Sequence, residues 1–262
     1  MESAKIVAFD LDQTLAESKM PLDAEMGALL CALLAVKKVA VISGASFAQF
    51  QKQFLGNLSC SEGALANLYL LPTNGASLYT YANGWTCTYE NNLTPEEKQK
   101  IFDAFEKVFT AAGFIRPEKL YGTLIEDRGT QLTFSGLGSE APLALKEGWD
   151  PRHEKRDILT AALRKELPGF TVSIGGATSI DVTRGGIDKA FGLTELLHTL
   201  GYTTKEAFYV GDALFPGGND ASVIPLGIPY KYVEGGVEDT KKFLRDFLVF
   251  SAEGGSSSGG KK

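Results

Sequence analysis

The chain has 262 residues, 44% of them hydrophobic and 22% charged, enough apolar material to bury one large core or two modest ones. A formal net charge of -6 argues against broad binding to nucleic acid or to an anionic membrane, because both surfaces repel an acidic protein. No apolar run approaches a membrane-spanning length of about 18 residues and the N-terminus lacks a signal-peptide pattern, so a soluble, cytoplasmic protein is expected.

Taken in chain order, residues 4–10 read as a buried strand and residues 23–36 as a helix, with Leu29, Leu30, Leu33 and Leu34 on its apolar face. Strands are expected at 39–42, 66–71 and 77–81, with a helix at 47–55 and a turn at Asn74-Gly75. This β-α-β-α-β rhythm favours a doubly wound parallel sheet. It then changes. Thr94 caps a helix that has Pro95 at its first position, Glu97 closing a capping box, and an end near Ala112. Strands at 121–126 and 131–135, a helix at 151–166 and strands at 171–174 and 179–183 complete an α+β insertion. The βα rhythm resumes with a helix at 188–200, strands at 207–210 and 228–233, and a last helix at 237–247. The expected fold class is therefore α/β, a doubly wound parallel-sheet core with an inserted α+β cap. Residues 1–81 and 187–250 form the discontinuous core, 82–186 the cap, and 251–262 a flexible Gly/Ser-rich tail. Asn83-Gly84 and Gly185-Gly186 read as joints about which a cap could hinge. Cys31, Cys60 and Cys87 are odd in number, widely spaced and without a CxxC pair, so reduced thiols with no disulfide are expected.

Four polar signals punctuate this pattern in a fixed order: Asp10-Leu11-Asp12-Gln13-Thr14, Ser43-Gly44, Lys189, and Gly211-Asp212 with Asn219-Asp220. All but the lysine follow short apolar runs, which carries their side chains to the carboxyl rim of a parallel sheet, where ligands of such sheets bind. Taken singly, each is ordinary turn or surface chemistry. In this order they describe phosphoryl transfer. Asp10 and Asp12 flank one residue, so both carboxylates face one centre; one can attack phosphorus while the other protonates the leaving oxygen. Mg²⁺ suits the oxygens of Asp10, Asp12 and Asp212, Lys189 would neutralise the nucleophile and the phosphoryl group, and the Ser43 hydroxyl can donate to a phosphoryl oxygen. No GxxxxGK[ST] loop, zinc-type Cys/His spacing or GxSxG elbow is present.

This motif set resembles the haloacid dehalogenase superfamily, and the insertion resembles the cap of its class IIB members. Pro216-Gly217-Gly218-Asn219-Asp220, Ser173-Ile174-Gly175-Gly176, Ser179-Ile180-Asp181-Val182, Gly186-Ile187-Asp188-Lys189 and Glu238-Asp239-Thr240 make the chain most similar to the eukaryotic-type phosphomannomutases and their bacterial relatives. The resemblance implies Asp10 as nucleophile, Asp12 as general acid/base, and a metal held by Asp212 with Asn219 and Asp220 completing its loop. It implies that Arg128 grips the sugar's distal phosphate and that Ser179 and Asp181 contact the same phosphate and the sugar hydroxyls. Gly44 and Ser135 join these on the substrate side, and the resemblance also allows a homodimer.

Three positions depart from the family pattern. Gln13 stands where glycine is usual, Lys19 where a mutase has a core arginine for the second phosphate, and Ser139 where a second cap arginine is expected. Neither lysine nor serine reproduces arginine's bidentate fork. The reading favoured by these departures is a Mg²⁺-dependent phosphatase of small hexose phosphates acting through phospho-Asp10. The alternative is a phosphomannomutase interconverting mannose 6-phosphate and mannose 1-phosphate, and a minor one is a non-catalytic sugar-phosphate-binding regulator.

Overall fold

A computed structural model describes residues 1, 3–18 and 20–255. The chain opens with β1 (Ile6–Asp10), α1 (Ala24–Leu34), β2 (Lys38–Ile42), α2 (Phe47–Gln53), α3 (Glu62–Leu65), β3 (Leu68–Leu71), the short kinked α4 (Pro72–Gly75), β4 (Ser77–Tyr81) and β5 (Trp85–Glu90). The insertion follows as α5 (Pro95–Ala112), β6 (Ile125–Asp127), β7 (Gln131–Ser135), α6 (Leu143–Trp149), α7 (Glu154–Glu166), β8 (Phe170–Gly175) and β9 (Ser179–Arg184). The chain then returns through α8 (Lys189–Leu200), β10 (Ala207–Gly211), β11 (Tyr230–Tyr232) and α9 (Val237–Gly255).

Seven strands form the main sheet in the order β11-β10-β1-β2-β3-β4-β5. The first five are mutually parallel; β4 pairs antiparallel with β3, and β5 antiparallel with β4. Alternation explains why the central strands are apolar throughout. Val7, Phe9, Val39 and Val41 pack with Leu30, Leu33 and Leu244 on one face, while Ile6, Ala8, Ala40 and Ile42 meet Leu193, Leu196 and Leu197 of α8 on the other. β3 and β4 are joined by only a few residues, too few for a parallel crossover, so β4 must run antiparallel. The turn between them takes Thr73, Asn74 and Gly75 through successive positive φ values of 51°, 58° and 86°. A Cβ on Gly75 would come within 2.5 Å of the Gly192 Cα, so this glycine also lets the turn lie against α8.

The second sheet is antiparallel, in the order β6-β7-β9-β8. Its apolar face, including Leu132, Phe134, Ile180 and Val182, packs with Phe105 and Phe109 of α5 and Leu163 of α7. The intervening residues Gln131, Thr133, Ser135, Ser179 and Asp181 therefore face the other way, and they are buried too.

Several expectations need correction. β5 is the seventh strand of the main sheet, so the expected boundary at 81/82 falls inside one sheet. Asn83-Gly84 is a tight hairpin turn between paired strands, not a hinge joint, as an Asn-Gly pair between strands favours. The strand expected at 121–126 is confined to Ile125–Asp127, and α6 was not anticipated. The last helix continues past Phe247 to Gly255, into the expected tail; residues 256–262 lie outside the described residues. No helix among the described residues is long and apolar enough to cross a membrane.

Cys31 of α1 and Cys60, just before α3, are joined in a disulfide with Cα atoms 5.2 Å apart, while Cys87 is free and exposed. This overturns the expectation of three reduced thiols. Spacing along the chain could not reveal it, because the pairing depends on how α1 packs beside α3. The bond closes a loop spanning 29 residues. Replacing both cysteines by serine should therefore cost about 3–4 kcal/mol in chemical denaturation; an unchanged midpoint would show that the bond adds no stability.

Candidate active site

The order β10-β1-β2 sets three strand ends side by side. Asp212 follows β10, Asp10 ends β1 and Ser43 follows β2, so polar residues distant in sequence share one rim at the point where strand order reverses. Above that rim lies a cleft of about 290 Å³. Asp10, Asp12, Gln13, Ser43, Gly44, Asp212 and Asn219 line it from the core, and Arg128, His153, Gly175, Gly176, Ser179 and Asp181 from the cap.

Asp10 is 3% exposed and lies 2.5 Å from the Lys189 Nζ, itself 1% exposed at the start of α8. The same ammonium donates to Asp220 Oδ1 at 2.6 Å. Asp220 also accepts from the Tyr209 hydroxyl at 2.6 Å and from the Ala213 N–H at 3.0 Å. It is thus committed to protein donors behind the cleft. Burial opposes the charge on Lys189, yet Asp10 and Asp220 outweigh it and hold the ammonium above the usual lysine range. Burial pushes Asp10 well above the ordinary carboxylate value, against the pull of Lys189. Burial, with Asp220 next, raises Asp212 to about 6.

The oxygens of Asp10, Asp212 and Asp220 lie within 4.8 Å of one another. Three carboxylates against one ammonium leave an excess of negative charge in a dry place, and hard oxygen donors so placed fit a divalent cation. Asp12 sits to one side, half-buried, and its Oδ1 accepts from Gln53 Nε2 at 3.1 Å. Thr14 Oγ1 donates to Asp212 at 3.3 Å, and the Ser43 hydroxyl oxygen accepts from the Ala45 N–H at 3.1 Å.

The cap wall is tied to the core by hydrogen bonds that involve the expected substrate contacts. Arg128 donates to the Gly44 carbonyl and pairs with Glu126 at 2.6 Å. Gln131 also donates to the Gly44 carbonyl, at 3.1 Å. Asn74 Nδ2 donates to Gln131 at 2.9 Å and to Asp181 at 3.2 Å, and Thr133 donates to Asp181 at 2.9 Å. Gly44 is required here: a Cβ would lie 2.4 Å from Asp181 Oδ2.

The fold brings together most of the residues singled out in the sequence. Asp10, Asp12, Ser43, Gly44, Arg128, Ser179, Asp181, Asp212 and Asn219 all line the cleft, with Lys189 and Asp220 beneath it. Ser135 is set behind the wall, its Oγ 3.4 Å from that of Ser179. Ser139 accepts from the Thr123 N–H at 3.2 Å, beside Gly122 rather than in the cleft. Lys19 lies outside the described residues. Sequence reasoning missed Gln53, Asn74, Gln131, Thr133 and Tyr209. A signal existed for Gln131 and Thr133, which alternate with Leu132 and Phe134 as polar positions on a buried strand.

Two measurements follow from this geometry. Asp212 is raised in the folded state, so its contribution to stability is full below about pH 4 and is lost as pH rises through about 6. Metal-free protein should therefore lose Tm relative to Asp212→Asn between pH 4 and 7, and Mg²⁺ should restore it only in the parent. A pH-independent difference would contradict this electrostatic picture. Gln13 adopts φ 64°, which explains why glycine suits the position; Gln13→Gly should raise stability by about 1 kcal/mol, and a loss would show that its side chain contributes more than the strain costs.

A eukaryotic phosphomannomutase family model matches residues 26–250. Phosphomannomutase of Saccharomyces cerevisiae is 28% identical over 248 residues, covering 93% of this chain and 94% of that protein. The Spinacia oleracea enzyme is 28% identical over 255 residues, covering 95% and 98% respectively. Among solved structures, an IMP-nucleotidase of Plasmodium falciparum superposes with a TM-score of 0.68 at 18% identity, over 96% of this chain and 70% of that one. A structure described as showing a trigonal-bipyramidal intermediate in a phosphoryl-transfer superfamily superposes with a TM-score of 0.58 at 16% identity, over 93% and 98%. At such identities the solved structures speak to the fold alone. The chain belongs to the eukaryotic phosphomannomutase family, enzymes built on the haloacid dehalogenase fold.

Proposed function

We propose that this enzyme is a Mg²⁺-dependent phosphomannomutase, moving a phosphoryl group between the 6- and 1-positions of mannose by way of Asp10. The observation that carries the chemistry is the buried Asp10–Lys189 pair on the floor of a cleft whose opposite wall presents Arg128, Ser179 and Asp181. The family match supports a mutase over the phosphatase that the departures at Lys19 and Ser139 favour.

In this reading, a carboxylate oxygen of Asp10 attacks phosphorus, an O–P bond forms, and the bond to the sugar oxygen breaks. Asp12 supplies the proton to that departing oxygen, and Gln53 fixes the orientation of its carboxylate. Lys189 offsets charge on Asp10, and the Ser43 hydroxyl, set beside the attack site, donates to a phosphoryl oxygen. Mg²⁺, held by Asp10 and Asp212 with the Asp12 carbonyl and Asn219 nearby, would supply positive charge to the transferring group. Asp220 acts from behind by fixing Lys189. The transfer to Asp10 follows an earlier one in which phospho-Asp10 gives its phosphoryl group to the free hydroxyl of the hexose monophosphate, Asp12 removing the hydroxyl proton as the Asp10–phosphorus bond breaks; the bisphosphate so formed turns over before Asp10 attacks its other phosphorus. Arg128 and Asp181 hold the far end of the sugar meanwhile.

A phosphatase remains the second reading, favoured by one observation. Among the described residues lining the cleft, the only side chains able to carry positive charge are Arg128 and His153. A phosphorus NMR time course with mannose 1-phosphate, Mg²⁺ and catalytic glucose 1,6-bisphosphate separates the two. Growth of mannose 6-phosphate without matching phosphate release is expected; release of inorganic phosphate alone would overturn the mutase in favour of the phosphatase.

A further inference from the structure

His153 combines three properties that neither the motifs nor the proposed chemistry accounts for. It lines the cleft from the cap. Its backbone lies in the left-handed region, with φ 63° and ψ 5°, a conformation few residues other than glycine occupy. Its ring has no hydrogen-bond partner among the described residues.

Helix capping does not explain the conformation. His153 precedes α7 but makes no side-chain cap; the Asp150 carboxylate does that work, accepting from the N–H groups of Lys155 at 3.0 Å and Arg156 at 3.1 Å. The strained residue is held by a bracket. Arg156 and Asp150 form an ion pair at 2.9 Å with both side chains almost wholly buried. The His153 N–H donates to the Asp150 carbonyl at 3.1 Å, and its own carbonyl accepts from Asp157 at 2.7 Å. Arg156 also donates to the carbonyls of Gly175 at 3.1 Å and Gly176 at 2.5 Å, which form the neighbouring part of the cleft wall. A buried ion pair therefore fixes an unpartnered imidazole and the adjoining turn in one arrangement. Strain retained in this way at a cleft points to function.

We propose that His153 is a substrate-binding residue of the cap, its imidazole donating a hydrogen bond to the phosphate that is not being transferred. The inference rests on the hexose-phosphate reading above and assigns one ligand within it. The other cationic side chain the cleft offers that phosphate, among the described residues, is Arg128, which is already engaged by Glu126 and the Gly44 carbonyl. Burial and Arg156 hold the imidazole below the usual histidine value, whereas Asp150 and Asp157 pull it upward, and Glu147 lines the same cleft. A phosphate arriving at the ring favours its protonated form, with the proton taken from solvent.

The chain has two histidines, His153 and His198, so the ring resonances are readily assigned. The test uses Asp10→Asn protein, which cannot turn over, titrated with glucose 1,6-bisphosphate in Mg²⁺ and followed by histidine ring NMR. The His153 resonance should move on saturation and its pKa should rise by about one unit. Adding His153→Gly, which suits the left-handed backbone, should weaken bisphosphate binding by about tenfold by calorimetry. Bisphosphate binding with an unmoved His153 pKa and an unchanged affinity in the glycine variant would overturn the assignment while leaving the function standing. Failure of Asp10→Asn protein to bind the bisphosphate at all would overturn both.

Discussion

An ammonium group buried between two carboxylates organises the site. Lys189 reaches Asp10 and Asp220 at once, and none of the three is more than 3% exposed. Removing Lys189 would leave buried carboxylates uncompensated where water cannot reach them, which is far more costly than losing a surface ion pair. Further contacts support the Lys189–Asp220 pair beneath the floor, where Asp220 also accepts from the Tyr209 hydroxyl and the Ala213 N–H. The arrangement leaves the excess negative charge on Asp10 and Asp212, which face the cleft. Sheet order comes first in this chain of causes, because only adjacent β10, β1 and β2 can bring these side chains together.

The cap wall obeys a related constraint. Arg128 and Asp181, the residues expected to receive the sugar, are bonded to one another's surroundings through Gly44, Gln131 and Asn74. Buried polar groups there need partners, and the core and cap supply most of them to each other, although the buried Asn74 Oδ1 has none. A sugar phosphate entering the cleft exchanges those bonds for its own, so its binding energy is the difference between two sets of hydrogen bonds rather than a gain from free donors. Asn74 sits at the centre of this exchange, on a turn with positive φ at three successive residues.

Much of this was legible in the sequence because it rests on local pattern. Apolar runs ending in Asp10, Ser43 and Asp212 mark strands of a sheet buried on both faces, and Thr94 with Glu97 marks the start of α5, where the structure contains the full capping box. What could not be read depends on contacts distant in sequence. Cys31 meets Cys60 only because α1 packs beside α3, and Gln53 meets Asp12 across 41 residues. Asn74-Gly75 looked like a simple turn, although its side chain crosses to the cap. Asn83-Gly84 was misread in the opposite direction, as a joint, because the exposed and mixed composition of β5 hid a strand on the edge of the sheet. Gln13 departs from glycine at a position whose φ of 64° gives the family preference a physical reason.

The most direct test of the central claim is to trap the phosphorylated enzyme. Protein mixed with glucose 1,6-bisphosphate and Mg²⁺ would be quenched in acid and reduced with borohydride, which converts an aspartyl phosphate to homoserine, and then mapped by peptide mass spectrometry. The account predicts homoserine at position 10 alone. Modification at Asp12 or Asp212 instead, or none while turnover proceeds, would contradict it.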